Sequence, residues 1–242
     1  MTRFLDIILS GLAILFLLPF MIPIMIALKL TGEHYIFYEQ MRIGKGGKEF
    51  PLLKFATMLK DSPNMPGGLY TSKDDPRMLP MGKFLRKTKI NELPQLINIL
   101  RGDMSVIGYR PQVRAHFDPY PEKAKTIFAQ SRPGLSGIGS IVFRDEEQIL
   151  QEVPDRDLFY RNVIMPYKAE LECWYIERAS IFLYLKMITL TVDAVLHPES
   201  MRWWSEFKKK GLPKPPMELR PYLNPKTSTK KQETLADATE AI

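Results

Sequence analysis

Cysteine and histidine are scarce in this 242-residue chain, which contains one cysteine and three histidines. Because Cys173 has no second cysteine to pair with, an internal disulfide is excluded. His34, His116 and His197 lie far apart, and no pair has the spacing of zinc ligands. High average hydrophobicity is also missing, since the mean hydropathy of −0.16 excludes a polytopic membrane protein.

The charge balance is positive, with 34 Lys and Arg residues against 27 Asp and Glu residues, a net charge of +7. Such an excess is typical of a protein that lies against anionic lipid or binds phosphates. Nucleic acid is the alternative partner, but no long basic stripe interleaved with aromatic residues occurs in the middle of the chain. A hydrophobic share of 45% is enough for a packed core and excludes wholesale disorder. Because the basic stripe is missing, we expect no nucleic-acid partner.

One long uncharged run covers residues 7–28. As a straight helix these 22 residues would extend about 33 Å, roughly the thickness of a bilayer core. Arg3 and Lys29 flank the run, and Pro19 and Pro23 lie inside it. Positive charge prefers the cytoplasmic side and prolines favour a bend, so we predict an anchor that enters one leaflet and returns. A kinked helix that spans the membrane and a buried helix of a soluble domain are the alternatives.

The remaining sequence predicts an α+β fold that is predominantly helical with a small sheet. Short strands around Tyr35–Tyr38 and Phe50–Phe55 flank a glycine-rich turn. Asn91 is expected to cap a helix that ends at Gly102, and residues 140–143 are expected to form a strand. We predict three parts: a re-entrant membrane anchor over residues 1–33, a cytoplasmic membrane-associated catalytic domain over 34–210 and a disordered tail over 211–242.

A second apolar segment, residues 179–196, carries one polar stripe formed by Lys186, Thr189 and Asp193. This spacing places the three side chains on one face of a helix. The stripe argues against a second membrane span, and it favours an amphipathic helix that is either buried or lies in the membrane interface.

Chemistry-bearing residues concentrate between Lys83 and Pro111. Phosphate chemistry uses cations to offset charge and carboxylates to hold a hard metal ion, and this stretch contains both. Taken alone, however, Asn91 and Glu92 are explained as a helix cap followed by a first-turn acid. Composition therefore does not select a function.

The run from Arg86 to Pro111, RKTKINELPQLINILRGDMSVIGYRP, resembles the signature of bacterial sugar transferases. The resemblance extends to Lys54–Met58, Asp75–Arg77 and Arg132–Gly134, in the family's order. These proteins are monotopic phosphoglycosyl transferases of the bacterial cytoplasmic membrane, with the catalytic domain facing the cytoplasm at the inner leaflet. The resemblance implies transfer of a sugar 1-phosphate from a nucleotide sugar, usually a UDP-sugar, to polyprenyl phosphate. It also implies Mg²⁺ as cofactor and a role in starting surface glycan or exopolysaccharide synthesis.

The family's catalytic pair is Asp-Glu, in which the Asp attacks phosphorus and the Glu helps to hold the metal. Glu92 matches the Glu, but Asn91 stands in the place of the Asp. A carboxamide is a poor nucleophile because its nitrogen lone pair is delocalised. Three accounts follow: direct transfer between the substrates, replacement of the nucleophile by Asp103, or loss of activity that leaves a non-catalytic binding protein.

The resemblance also implies a set of phosphate and nucleotide contacts. For Lys54, Arg77 and Arg86 a structural ion pair is the alternative, and for the glycines a plain turn. The sugar, the pathway and the oligomeric state are left open. The implied contacts are Lys54, Arg77, Arg86, Arg110, Arg132, Gly134 and Gly137.

Overall fold

The structure is a computed structural model that describes residues 2–66, 75–197 and 200–223. The fold is mostly helical with two small two-stranded sheets, which confirms the predicted α+β class. The described residues form two compact units, residues 2–44 with 48–106 and residues 45–47 with 107–223. The first unit thus combines the apolar N-terminal helix with part of the predicted catalytic domain.

The first unit is built from helices that surround an antiparallel hairpin. In the hairpin, Phe37 pairs with Phe55 at one end and Ile43 pairs with Glu49 at the other. The predicted hairpin is therefore confirmed. The elements are α1 (Thr2–Leu30), β1 (Phe37–Ile43), β2 (Glu49–Phe55), α2 (Gly82–Lys87) and α3 (Gln95–Arg101). The next strand, β3 (Ser105–Ile107), includes the last two residues of the first unit and the first residue of the following segment.

Helix α1 is attached to the first unit at its start. The Arg3 guanidinium donates to the carbonyl oxygens of Ile99 and Leu100, the latter at 2.7 Å, at the C-terminal end of α3. The buried Asp6 carboxylate accepts from Ser105 Oγ at 2.8 Å and from the Val106 N–H at 2.9 Å. The Arg3 bonds satisfy two carbonyl groups at the C-terminal end of α3, which have no partner within that helix.

The other end of α1 is attached by apolar packing. Met21 and Leu28 are buried in one cluster with Phe55 and Leu85. The helix is continuous from Thr2 to Leu30, with Pro19 and Pro23 inside it. Both ends of the helix therefore contact the same unit.

The middle of α1 is largely exposed. Its Thr2–Leu30 span is, among the described residues, the one helix long and apolar enough to cross a membrane, with a mean hydropathy of 2.6 in its best window. Only 11% of that window is buried, which disfavours the core-helix alternative. The exposed apolar side chains include Leu12, Leu15, Phe16, Phe20 and Ile26.

The second unit is arranged around α9, a helix whose buried face carries both aromatic and charged residues. Two glycine-rich stretches meet beside it: the Gly108 N–H donates to Ser136 O at 2.9 Å, and the Gly134 N–H donates to Tyr109 O at 2.8 Å. The elements are α4 (Arg114–Phe117), α5 (Glu122–Ala129), β4 (Gly134–Ser136), α6 (Ile138–Val142), α7 (Glu146–Glu152), α8 (Arg156–Phe159), a π-helical segment (Tyr160–Ile164), α9 (Met165–Glu177), α10 (Ile181–Leu196), α11 (Arg202–Phe207) and α12 (Arg220–Leu223).

Three local expectations have clear outcomes. Gly102 ends α3 in the left-handed conformation, with φ of 98°, as predicted. The capping role of Asn91 is wrong, because Asn91 lies inside a 3₁₀ turn (Ile90–Glu92) and α3 begins only after Pro94. The strand expected at residues 140–143 is wrong as well, since residues 140–142 belong to α6 and Phe143 caps its C-terminal end. Of the predicted tail, residues 224–242 lie outside the described residues, whereas Leu212, Leu219 and Leu223 are buried.

Candidate functional site

A cavity of about 150 Å³ in the first unit brings together two of the predicted phosphate-binding residues and one predicted catalytic residue. Lys54, Arg86 and Asn91 all line it, although Lys54 and Asn91 are 37 positions apart in the chain. Arg42 adds a further cation. The lining residues are Tyr35, Tyr38, Gln40, Arg42, Lys54, Phe55, Thr57, Met58, Ser62, Pro63, Arg86 and Asn91.

The hairpin places the cavity's polar side chains by strand alternation. Tyr38, Gln40 and Arg42 are spaced by two residues along β1, so they share one face of the sheet. Lys54 of β2 lies directly opposite Tyr38 and joins the same face. Arg42 Nη2 donates to Gln40 Oε1 at 2.6 Å, which orients its guanidinium.

Helix α2 supplies Arg86, and a close backbone contact fixes the helix. A Cβ atom on Gly82 would lie 2.1 Å from the carbonyl oxygen of Thr57, so only glycine allows the start of α2 to approach this strand end. Arg86 Nη1 lies 3.0 Å from Met58 Sδ. Arg86 and Met58 both line the cavity, so this contact lies at its edge.

The electrostatic character of the cavity is positive. Arg42, Lys54 and Arg86 contribute three cations, and the described residues that line the cavity include no carboxylate. A pocket of this kind favours an anion with several charges, such as a diphosphate.

Asn91 is a buried polar residue of the cavity, and its side-chain oxygen lacks a hydrogen bond among the described residues. Its side chain is 8% exposed, and its Oδ1 atom has no hydrogen-bond partner among the described residues. Lys89, two residues earlier, has a φ of 60°, which is uncommon for a residue other than glycine. A strained backbone beside an unsatisfied buried acceptor is typical of a functional site.

Both tyrosines of the cavity remain protonated near neutral pH. Burial, with a smaller contribution from Glu33, raises the pKa of Tyr35 to about 12. Burial also raises the pKa of Tyr38. The Tyr35 hydroxyl donates to the carbonyl oxygen of Met58. The tyrosine hydroxyls therefore act as hydrogen-bond donors.

Other predicted site residues of the first unit lie elsewhere. Glu92 is half-buried and follows Asn91 directly, but it does not line the cavity. Asp103 Oδ2 accepts from Asn98 Nδ2 at 3.1 Å. Asn98 in turn bonds the backbone of β2, accepting from Leu53 N and donating to Pro51 O. The described bonds of Asp103 thus join α3 to the hairpin.

Arg77 is buried and bonded at all three guanidinium nitrogens. Its Nε and Nη2 donate to the two carboxylate oxygens of Asp75 at 2.8 and 2.6 Å, and Nη1 donates to Ser62 O at 2.9 Å. These bonds match the alternative of a structural ion pair for Arg77. Phosphate binding by Arg77 stays a prediction.

In the second unit, the predicted Arg110 lines a cavity of about 20 Å³ with Lys168 and Glu172. A Cβ on Gly134 would lie 2.0 Å from the Gly108 N atom, and one on Gly137 would lie 2.1 Å from the Gly108 O atom. These glycines are therefore required for packing of two backbone segments. Arg132, half-buried, precedes them.

Glu172 is a candidate residue that the sequence reasoning missed. It is 5% exposed, its Oε1 accepts from the Gly139 N–H at 3.2 Å, and its Oε2 has no hydrogen-bond partner among the described residues. Burial raises the pKa of its carboxyl to about 8, against hydrogen bonds from the backbone of Gly139 and Arg110 and the charge of Lys168. The available signal was the Lys168–Glu172 spacing of four residues within the apolar side of α9.

Metal-ligand clusters are absent from the part of the chain that the structure describes: no three Asp, Glu, His or Cys side chains converge. Mg²⁺ in phosphate sites needs only one or two protein oxygens, because phosphates and water supply the rest. Glu92 and the unsatisfied Oδ1 of Asn91 are adjacent hard oxygen donors and meet that requirement.

The sequence is similar to that of known proteins. The family model for the bacterial sugar transferase matches residues 1–198. The chain belongs to the bacterial sugar transferase family. This agrees with the resemblance found in the sequence, and it supports a transferase.

Relatives within the bacterial sugar transferase family include three informative proteins. The exopolysaccharide production protein ExoY of Sinorhizobium fredii is 35% identical over 60% of this chain and 70% of its own length. The uncharacterized sugar transferase EpsL of Bacillus subtilis is 35% identical over 69% of this chain and 73% of its own. A UDP-glucose:undecaprenyl-phosphate glucose-1-phosphate transferase of Klebsiella pneumoniae is 33% identical over 77% of this chain but only 38% of its own length. These relatives support glycosyl-phosphate transfer in glycan initiation.

Proposed function

We propose that this chain transfers a sugar 1-phosphate from a UDP-sugar to polyprenyl phosphate, which starts the synthesis of a surface glycan or exopolysaccharide. The observation that carries the proposal is the cavity that Arg42, Lys54 and Arg86 line together with the buried Asn91. Three cations match the charge of a diphosphate donor, and the name of the Klebsiella relative, a UDP-glucose:undecaprenyl-phosphate glucose-1-phosphate transferase, specifies the same classes of substrate.

We also propose that α1 is a re-entrant anchor in the inner leaflet of the bacterial cytoplasmic membrane, with the catalytic residues on the cytoplasmic side. Arg3 and Asp6 bind the first unit at one end of the helix, and Met21 and Leu28 bind it at the other. A spanning helix would carry one end to the far side of the bilayer. Attachment at both ends opposes that arrangement, and the exposed apolar middle supports burial in lipid.

Helix α10 is proposed to lie in the membrane surface. One side of it, with Tyr184, Met187 and Leu190, is buried in the second unit. Its opposite side exposes Phe182, Leu185, Val192, Val195 and Leu196, an apolar stripe that interfacial helices bury among lipid headgroups.

The cations of the cavity, Asn91 and two residues outside the cavity have roles in this proposal. Arg42, Lys54 and Arg86 bind the phosphates of the donor and acceptor. Glu92 and Asn91 Oδ1 would hold Mg²⁺, which supplies charge neutralisation on the diphosphate when bound. In the second unit, Arg110 is proposed to bind phosphate, on a segment that the Gly108–Gly134 contact holds in place.

The experiment is a turnover assay on the purified full chain in lipid nanodiscs. UDP-sugars, polyprenyl phosphate and Mg²⁺ are supplied, and release of UMP and formation of the lipid-linked sugar are measured. Arg86→Gln should weaken donor use by about 10- to 100-fold, the value of one lost charge-assisted bond. Arg101→Gln, which changes an exposed arginine of α3, is the matched control and should leave turnover unchanged.

A non-catalytic nucleotide-sugar or lipid-phosphate binding protein is the second candidate, because Asn91 replaces the family's nucleophilic Asp. Binding of UDP-sugars without release of UMP, across a panel of donors, would select this candidate and refute the transferase proposal.

A further inference from the structure

The cavity of the first unit contains no group suited to attack phosphorus covalently. Asn91 occupies the place of a nucleophile, but its amide nitrogen is not nucleophilic. The described lining residues include no Asp or Glu that could replace it, and the neighbouring Glu92 does not line the cavity and has the metal-holding role in the proposed function. Asp103, the nearest carboxylate considered from the sequence, lies outside the lining and bonds to Asn98.

The hydroxyl groups of the cavity are equally unsuited. Tyr35 and Tyr38 resist ionisation, since burial raises the pKa of both phenols. Thr57 and Ser62 need a general base to become nucleophiles, and the described lining residues include neither histidine nor carboxylate for that task. None of the described lining residues thus supplies the nucleophile, which leaves a substrate as its source among the groups of this site.

An acceptor phosphate satisfies this requirement without help from a base. Its oxygens are already ionised at neutral pH, and the main obstacle to its attack is repulsion by the negatively charged diphosphate. Arg42, Lys54 and Arg86 reduce that repulsion. A neutral residue at position 91 reduces it further, because a carboxylate there would add another negative charge beside the reacting phosphates.

We propose that this protein transfers the sugar 1-phosphate in one step, within a ternary complex and without a phosphorylated enzyme intermediate. An oxygen of the polyprenyl phosphate attacks the sugar-bearing β-phosphorus. The new P–O bond forms as the bond from that phosphorus to the bridging oxygen breaks, and the nucleoside monophosphate leaves with the bridging oxygen and its electron pair. No proton transfer is required. The inference rests on the proposed function and specifies its chemical course.

The test is isotope exchange with the full chain in nanodiscs. Labelled UMP and unlabelled UDP-sugar are incubated with Mg²⁺ but without polyprenyl phosphate. A phosphorylated enzyme would return label to the UDP-sugar, whereas one-step transfer gives no exchange above that of heat-inactivated protein. With both substrates present, initial rates should give intersecting double-reciprocal lines rather than parallel ones.

Asn91→Asp provides the positive control for the exchange. The new carboxylate should make exchange measurable and allow acid-trapping of phosphate on the protein. It should also slow one-step transfer by at least about tenfold through charge repulsion. Asn162→Asp adds the same charge at an exposed position of the second unit, and it should change neither exchange nor turnover.

The outcomes separate the inference from the proposed function. Exchange by the unaltered chain without acceptor overturns one-step transfer and leaves the transferase activity standing. Absence of turnover with every UDP-sugar, even with acceptor present, overturns the proposed function itself. Turnover without exchange supports both, whether or not the Asn91→Asp variant folds.

Discussion

Glu172 should make the stability of the second unit fall as pH rises. Its carboxyl is buried beside Lys168 and Arg110, near Tyr109 and Tyr120, and burial raises its pKa from 4.5 to about 8. The folded chain therefore holds a proton that the unfolded chain has released between those pH values. The stabilisation is complete below about pH 4.5 and is lost as pH rises through about 8, a change of about 5 kcal/mol.

The assay is denaturant unfolding in detergent micelles, followed by tryptophan fluorescence from about pH 5 to about pH 8.5. All three tryptophans belong to the second unit, and Trp174 lies two residues from Glu172. The side chain of the Glu172→Gln variant cannot ionise. The substitution should therefore remove most of the pH dependence of the free energy of unfolding, and the variant should be more stable than the unaltered chain at about pH 8.5. Glu177→Gln changes an exposed residue of the same helix and should leave the pH dependence of stability unchanged. Equal pH dependence in all three proteins would refute the reasoning.

Three further changes test the first unit and the membrane-facing helix. Asp6→Ala removes the acceptor of two hydrogen bonds and should cost about 3 kcal/mol, measured as faster thermal inactivation in detergent, whereas Asp6→Asn should retain part of the stability; an Ala variant as stable as the original chain would contradict the anchoring role. Gly82→Ala would place Cβ 2.1 Å from Thr57 O, so α2 must shift. The free energy of unfolding should fall by about 1–3 kcal/mol, and UDP-sugar binding should weaken in calorimetry. Unchanged binding would show that α2 does not position Arg86. Phe182→Asp should lower the fraction bound to anionic vesicles in flotation without altering circular dichroism, and unchanged flotation would oppose an interfacial α10.

Local signals predicted several elements of the fold well. The β1–β2 hairpin follows from alternating side chains around a glycine-rich turn, and the end of α3 follows from a glycine that can adopt positive φ. Both depend on neighbouring residues alone. The segment at 140–143 was assigned incorrectly because four apolar or small residues fit a strand and one helical turn equally well, and packing of α6 on α9 decides between them.

The candidate site was less accessible to sequence reasoning. Lys54, Arg86 and Asn91 were identified through family resemblance, since no spacing rule indicates that a strand, a helix and a 3₁₀ turn converge on one cavity. Asp6 was overlooked because the hydrophobic run was counted from the residue after it. Glu172 depends on hydrogen bonds to Gly139 and Arg110, which are distant in the chain and become neighbours only in the folded unit.

The two-ended attachment of α1 has a consequence for how the protein can be handled and altered. Deletion of α1 would expose Phe55 and Leu85 and leave the Val106 N–H without its acceptor, the Asp6 carboxylate. Replacing it with an unrelated hydrophobic tether would restore lipid affinity but none of these contacts. Entry into the bilayer and completion of the first unit are therefore coupled, and a water-soluble version requires redesign of the helix surface rather than its deletion.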